Sequence, residues 1–147
     1  RAEASQGRAR APGEASMILL DTNAFLWLAI EPESLSRPAA SAIRRARSGG
    51  GVAIASISLW ELAQKAAKGR LKQQGPLEAW LRNMVTKAEV ALRDVTPEIA
   101  AVAAHLPAHF PGDPMDRLIA ATAMVEGMPL VTSDARIQDS GVVTTIW

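Results

Sequence analysis

The sequence predicts an α/β domain built on a central, mostly parallel sheet of four to five strands. Short apolar runs rich in branched residues recur along the chain, at "MILL" from 17, "VAIAS" from 52, "VALRDV" from 90, "PLVTS" from 129 and "VVTTIW" from 142. Segments with helical periodicity alternate with these runs, which is the rhythm of strands joined by crossover helices. With 147 residues, 48% of them hydrophobic, the chain can fill one core, which argues for one domain.

The first element of the core begins at Met17. Residues 1–16, "RAEASQGRARAPGEAS", lack hydrophobic periodicity and read as a disordered extension, either an expression remnant or the product of an early start codon. Its three Arg and two Glu account for the chain's net charge of +1, so residues 17–147 are neutral overall. Any nucleic-acid contact must therefore come from a local basic patch rather than a global positive field. No apolar run reaches the roughly 20 residues of a membrane span, and the N-terminus lacks a secretory apolar centre, so a soluble, cytoplasmic protein is expected.

The helices are well punctuated. A helix over 38–47 ends in Arg44, Arg45 and Arg47 before "SGGG", where positive charge suits the macrodipole and glycine stops the helix. A second starts near Ser58 and stops at Gly69, and a third follows Gly75 with Leu77, Trp80, Leu81 and Met84 on one side, a surface that could face a partner. Thr96 and Pro97 mark an N-cap and first helical residue, with Ile99, Val102, Ala103 and Leu106 on one face. The helix after Asp113 carries Leu118, Ile119, Met124 and Val125 around most of its circumference and is expected to be central and buried.

Four acids then call for an explanation. Asp21 follows the first strand, Glu61 lies within one helical turn of the second, Asp116 opens the most apolar helix, and Asp134 follows the fourth strand. Each has a local reading. Asp21 can cap the helix "AFLWLA", Ser58 and Glu61 match a capping box, Asp113 with Pro114 and Asp116 forms an acidic cap, and Asp134 suits a turn. Together they suggest more, because in a right-handed parallel sheet all these strand ends share one edge, the edge where ligands bind. Two bare carboxylates about 5 Å apart repel by about 3 kcal/mol at an effective dielectric of 20. Only Arg117 and Arg136 flank them as bases, too few to balance four acids, so a divalent cation is expected.

The chain has no cysteine, which excludes disulfides and thiolate ligands. All-oxygen ligands select Mg²⁺ or Mn²⁺, ions that retain water for contact with phosphate. The chemistry implied is metal-assisted phosphodiester hydrolysis, with Asp21, Glu61, Asp116 and Asp134 as catalytic metal ligands. His105, on the helix over 97–106, and His109, in "LPAHFPGDP", read as packing or surface residues, although His109 is close enough in sequence to Asp116 to reach a phosphate.

With these residues identified, the pattern resembles the PIN-domain ribonucleases, and within them the VapC-type toxins of bacterial toxin–antitoxin pairs. "LLDTNAFLW" looks like the family's opening strand and first catalytic aspartate, Asp21. "ASISLWELAQKAAKGRL" is similar to the segment carrying the glutamate, Glu61, and "GDPMDRLIAATA" resembles the motif with metal-binding Asp116 and capping Asp113. "LVTSDARI" supplies Asp134, whose contribution varies among members, and Thr22 and Asn23 match positions that steady the first aspartate and a bound water. The chain departs from the family at Met115, often Phe or Ala there, and in its N-terminal extension. The resemblance implies a three-layer α/β/α PIN-like nuclease domain over 17–147, a Mg²⁺ or Mn²⁺ cofactor and an RNA substrate. It also implies a homodimer and a cognate VapB-type antitoxin whose C-terminal segment blocks the acidic pocket.

Lys65, Lys68, Arg70 and Lys72 form the local basic stretch, and with Arg117 they are candidate phosphate contacts that position RNA without reading its sequence; the same lysines also suit a solvated helix end. Trp27, Trp60 and Trp80 sit at helical positions among apolar residues, which suits core or antitoxin contact better than base stacking. Two alternatives remain. A haloacid-dehalogenase-like phosphatase also ends its first strand in an aspartate, but needs a second acid two residues later, where this chain has Asn23. A non-catalytic PIN-fold interaction module would have no need of all four acids. A receiver domain fails for want of its acidic pair and late lysine.

Overall fold

The computed structural model describes residues 16–147, so the extension expected at the N-terminus lies, but for Ser16, outside the described residues. The five apolar runs form one fully parallel sheet in the order β3-β2-β1-β4-β5. Its strands are β1 (Ile18–Leu20), β2 (Val52–Ala55), β3 (Ala91–Arg93), β4 (Leu130–Val131) and β5 (Thr145–Ile146). Ile18, Leu19 and Leu20 pair with Val52, Ala53 and Ile54 on one side, and Leu19 and Leu20 pair with Leu130 and Val131 on the other. Because β1, β2 and β4 are buried on both faces, they read as continuous apolar runs rather than alternating ones.

Side chains from successive strand positions enter opposite layers. Ile18, Leu20, Val52, Ile54 and Val131 join a core with α1 (Thr22–Ile30), α2 (Arg37–Arg47), α3 (Ile57–Ala67) and α4 (Leu77–Ala88). Leu19, Ala53, Ala55 and Leu130 face the other way, toward α6 (Pro114–Glu126) and α7 (Ala135–Asp139). Outside α6 lies α5 (Pro97–Ala104), packed through Ile99, Ala103 and Ala121. The result is the three-layer α/β/α architecture expected from the sequence.

Most helix signals hold. Ser36 caps α2 through Ala39 N–H, Thr96 caps α5 through Ile99 N–H, and Gly127 closes α6 in the left-handed conformation at φ 65° that glycine tolerates. Gly50 has a different reason to be glycine, since a Cβ there would collide with the Met17 backbone where the turn enters β2. One expectation needs correction. In α6 the buried surface is made by Ile119 and the small residues Ala120, Ala121, Thr122 and Ala123, while Met124 is 39% exposed, because close sheet and α5 contacts favour alanine over bulk. Among the tryptophans, Trp80 is core and Trp27 packs on Trp147 with ring centroids 5.6 Å apart, but Trp60 is 51% exposed.

Candidate active site

The sheet delivers the acids to one edge. Asp21 is the residue after β1, and its backbone N–H bonds Val131 O at 3.0 Å, fixing it to the end of β4. Its Oδ1 accepts the Ala24 N–H at 2.8 Å, so Asp21 is an N-cap as well as a candidate site residue. Asp134 likewise caps α7, accepting Arg136 N–H at 2.9 Å. Asp113 caps α6 by accepting Met115 N–H at 2.8 Å and Asp116 N–H at 3.2 Å, which aims Asp116 from the first turn of that helix. The caps are formed and do not exclude a ligand role, because a helix that begins at a strand's C-terminal end needs a cap at the place where a ligand would sit.

Glu61 reaches the edge by another route. The capping box expected at Ser58 is not formed. Helix α3 starts one residue earlier, at Ile57, and Ser58 is fully buried inside its first turn. Its hydroxyl lies 2.9 Å from Thr22 Oγ1, which lies 2.6 Å from Glu61 Oε1. Thr22 thus steadies the glutamate directly, and Lys65 approaches Glu61 Oε2 at 3.8 Å from the next turn.

Charge is unevenly relieved across the four acids. The Arg136 guanidinium, bonded to both oxygens of Asp134, holds that carboxyl below its ordinary value. Burial pushes Asp21 up, opposed by the Thr132 hydroxyl and the Ala24 N–H and reinforced by Glu61 and Asp134. Burial also raises Asp116, to about 6, helped by the neighbouring charges of Asp113, Asp134 and Glu61 and opposed by Arg136. Asp21 and Asp116 are thus the two acids whose negative charge their surroundings resist, and a cation beside either would relieve it.

Among the described residues, no three Asp, Glu or His side chains close on one point as a full protein cage for a metal would. Glu61 is held by Thr22 and Lys65 and Asp134 by Arg136, and the charges of Glu61 and Asp134 act on both Asp21 and Asp116. An all-oxygen donor set without a closed cage suits Mg²⁺, which binds through one or two carboxylates and keeps several waters.

The sequence model of the PIN domain matches residues 18–142, a span that contains all four acids. The chain belongs to the PIN-domain family. Ribonuclease VapC22 of Mycobacterium tuberculosis is 40% identical over 121 residues, 82% of this chain and 89% of that protein. Among solved structures, VapBC2 from Rickettsia felis bound to a promoter DNA fragment aligns with a TM-score of 0.68 at 18% identity, covering 88% of this chain and 96% of that one. VapBC-1 from nontypeable Haemophilus influenzae aligns at 0.62 and 18% identity with the same coverage. At those identities the likeness is one of fold.

Around this PIN-domain edge the other predicted residues divide. Asn23, exposed in the first turn of α1, stays beside Asp21, and Lys68 is exposed at the C-terminal end of α3. Arg117 instead directs Nη1 toward Ala103 O on α5 at 3.5 Å. His109 bonds Ser140 O at 3.0 Å, fastening its loop to the end of α7, and His105 bonds Ala101 O at 2.9 Å from the C-cap of α5. Two further hydroxyls that no motif points to as site groups, Thr132 and Ser58, stand beside the acids. Thr132 is fully buried, accepts Asp134 N–H at 3.1 Å, and turns its hydroxyl to Asp21. A hydroxyl directly after an apolar strand is the one signal that could have marked Thr132; Ser58 was marked but assigned to a cap.

Proposed function

We propose that this PIN-domain chain is a divalent-metal-dependent endoribonuclease toxin of the VapC type, restrained by a VapB-type antitoxin and acting as a homodimer in the bacterial cytoplasm. The observation that carries the reading is the gathering of Asp21, Glu61, Asp116 and Asp134 at one sheet edge with the charge of Asp21 and Asp116 only partly relieved. The 40% identity to Ribonuclease VapC22 supports RNA as substrate, and the VapBC assemblies that share the fold support an antitoxin partner. No helix among the described residues is long and apolar enough to cross a membrane.

Asp21 and Asp116 would hold Mg²⁺ or Mn²⁺, with Glu61 and Asp134 completing or tuning the site. Bound there, the ion would supply activation of water and stabilisation of the leaving oxygen in phosphodiester hydrolysis. Asp21 is fixed by its cap and by β4, so its carboxylate would receive a cation without rearranging. Arg136, 70% exposed beside Asp134 and Asp116, can turn from the acids to the RNA backbone, as can Lys65 and Lys68.

The test is cleavage of total tRNA and rRNA by purified, antitoxin-free protein in EDTA, Mg²⁺ and Mn²⁺, with Asp116→Asn in parallel to exclude a contaminating nuclease. Discrete fragments that require metal and disappear with the variant are expected. Membership of the PIN-domain family removes the phosphatase alternative, so absence of cutting on every RNA would favour the non-catalytic module. Light scattering of the same sample tests the homodimer.

A further inference from the structure

Two hydroxyls on different helices stand in line with Glu61. Ser58 is fully buried and Thr22 is 4% exposed. The three groups run Ser58 Oγ, Thr22 Oγ1, Glu61 Oε1 with separations of 2.9 and 2.6 Å, each contact between side chains. Direction follows from proton count. A carboxylate only accepts, so the single Thr22 proton goes to Glu61, and the Thr22 lone pair then receives the single Ser58 proton. Valine at 22 and alanine at 58 would suit these buried positions on packing grounds, yet both carry oxygens, and a buried hydroxyl is costly unless bonded.

The line also crosses the fold. Thr22 follows Asp21 and opens α1, whereas Ser58 and Glu61 are three apart on one face of α3. Its hydrogen bonds join the helix that starts at the first aspartate to the helix that carries the glutamate. Lys65 engages the other Glu61 oxygen at 3.8 Å and is too distant and too exposed to fix a rotamer alone.

We propose that Ser58, acting through Thr22, is a positioning residue for Glu61, the two hydroxyls forming a one-way relay that sets where this carboxylate stands relative to Asp21. The inference rests on the nuclease reading above and assigns Ser58 a role in the site rather than in a helix cap. Outer hydrogen-bond partners of metal-site carboxylates typically matter by 10- to 100-fold in affinity or activity.

The experiment compares wild type, Thr22→Val, Thr22→Ser, Ser58→Ala and the Thr22→Val/Ser58→Ala double variant in the full chain. Three quantities are read: kcat and KM on an RNA that the wild type cuts, Mn²⁺ affinity by calorimetry, and the urea midpoint. Thr22→Val is expected to lower kcat and Mn²⁺ affinity by roughly 10- to 100-fold with KM nearly unchanged, Ser58→Ala by a smaller factor in the same direction, and Thr22→Ser hardly at all. Because Ser58 acts only through Thr22, the double variant should be no worse than Thr22→Val alone. A purely structural staple would move the urea midpoint and leave kcat and metal affinity per folded molecule intact, and that result overturns the proposal. So do losses that multiply in the double variant. Should Thr22→Val fail to fold, the remaining pair decides, since the relay requires Thr22→Ser to keep the wild-type kcat and Ser58→Ala to lose it. A wild type that binds Mn²⁺ and cuts RNA beside unaffected variants removes the relay alone, whereas a wild type that does neither removes the nuclease reading and the relay with it.

Discussion

Arg136 clasps Asp134, with Nη2 2.9 Å from Oδ2 and Nε donating to Oδ1 at 3.2 Å. The same Nη2 stands 4.0 Å from Asp116 Oδ2, so one exposed guanidinium is the internal counter-ion for two of the four acids. A cation that enters this edge competes with it. Removing the positive charge with Arg136→Ala should therefore tighten Mn²⁺ binding several-fold, as read by calorimetry on antitoxin-free protein. Unchanged or weaker binding would mean that Arg136 does not compete for those oxygens.

Asp116 makes stability depend on pH. Its folded value of about 6 lies above the ordinary 3.8, so between these values the folded state binds more protons than the unfolded one. Stability of the metal-free protein should thus fall as pH rises from about 4 through about 6. Asp116→Asn, which never ionises, should be more stable than wild type at pH 7 by on the order of 1 kcal/mol once solvent screening is allowed for. Urea melts in EDTA should show this gap closing toward pH 4; a gap of the same size at pH 4 and 7 would contradict the titration.

For Asp21 the cap and the charge can be separated. Asparagine caps a helix about as well as aspartate, so Asp21→Asn keeps the bond to Ala24 N–H and the α1 start while deleting the charge. The variant should retain the wild-type circular dichroism spectrum and lose RNA cleavage. At a hundredfold excess of Mg²⁺ over its Kd the wild type should gain about 2.7 kcal/mol of stability. A melting curve of Asp21→Asn that responds to Mg²⁺ as the wild type does would remove Asp21 from the ligand set.

Asp113 should act through the helix alone. Its Oδ1 satisfies two N–H groups at the start of α6, and Asp113→Ala should cost about 1 kcal/mol in a urea melt, with Asp113→Asn recovering most of it. A loss of cleavage in Asp113→Asn as complete as that in Asp116→Asn would instead place Asp113 among the ligands.

The sequence by itself determined the sheet and the edge. Runs such as "MILL" and "VAIAS" are apolar throughout because parallel strands are covered on both faces, and that composition is visible without coordinates. Asp21, Glu61, Asp116 and Asp134 could be grouped because parallel strands all end on one side. Only the tertiary structure decided how those acids are held. Ser58, read along the chain, is an N-cap; across the fold it is a buried partner of Thr22, 36 residues away. Thr132 is marked along the chain only as a hydroxyl after an apolar run, and its bond to Asp21 exists only because β4 lies beside β1. Arg117 and Arg136 look alike as neighbours of an acid, yet one turns to Ala103 O and the other to Asp134 and Asp116. The physical reason is common to all three. Periodicity and capping are set by neighbours along the chain, whereas a hydroxyl or guanidinium takes whichever partner the packing of distant elements places within hydrogen-bond reach.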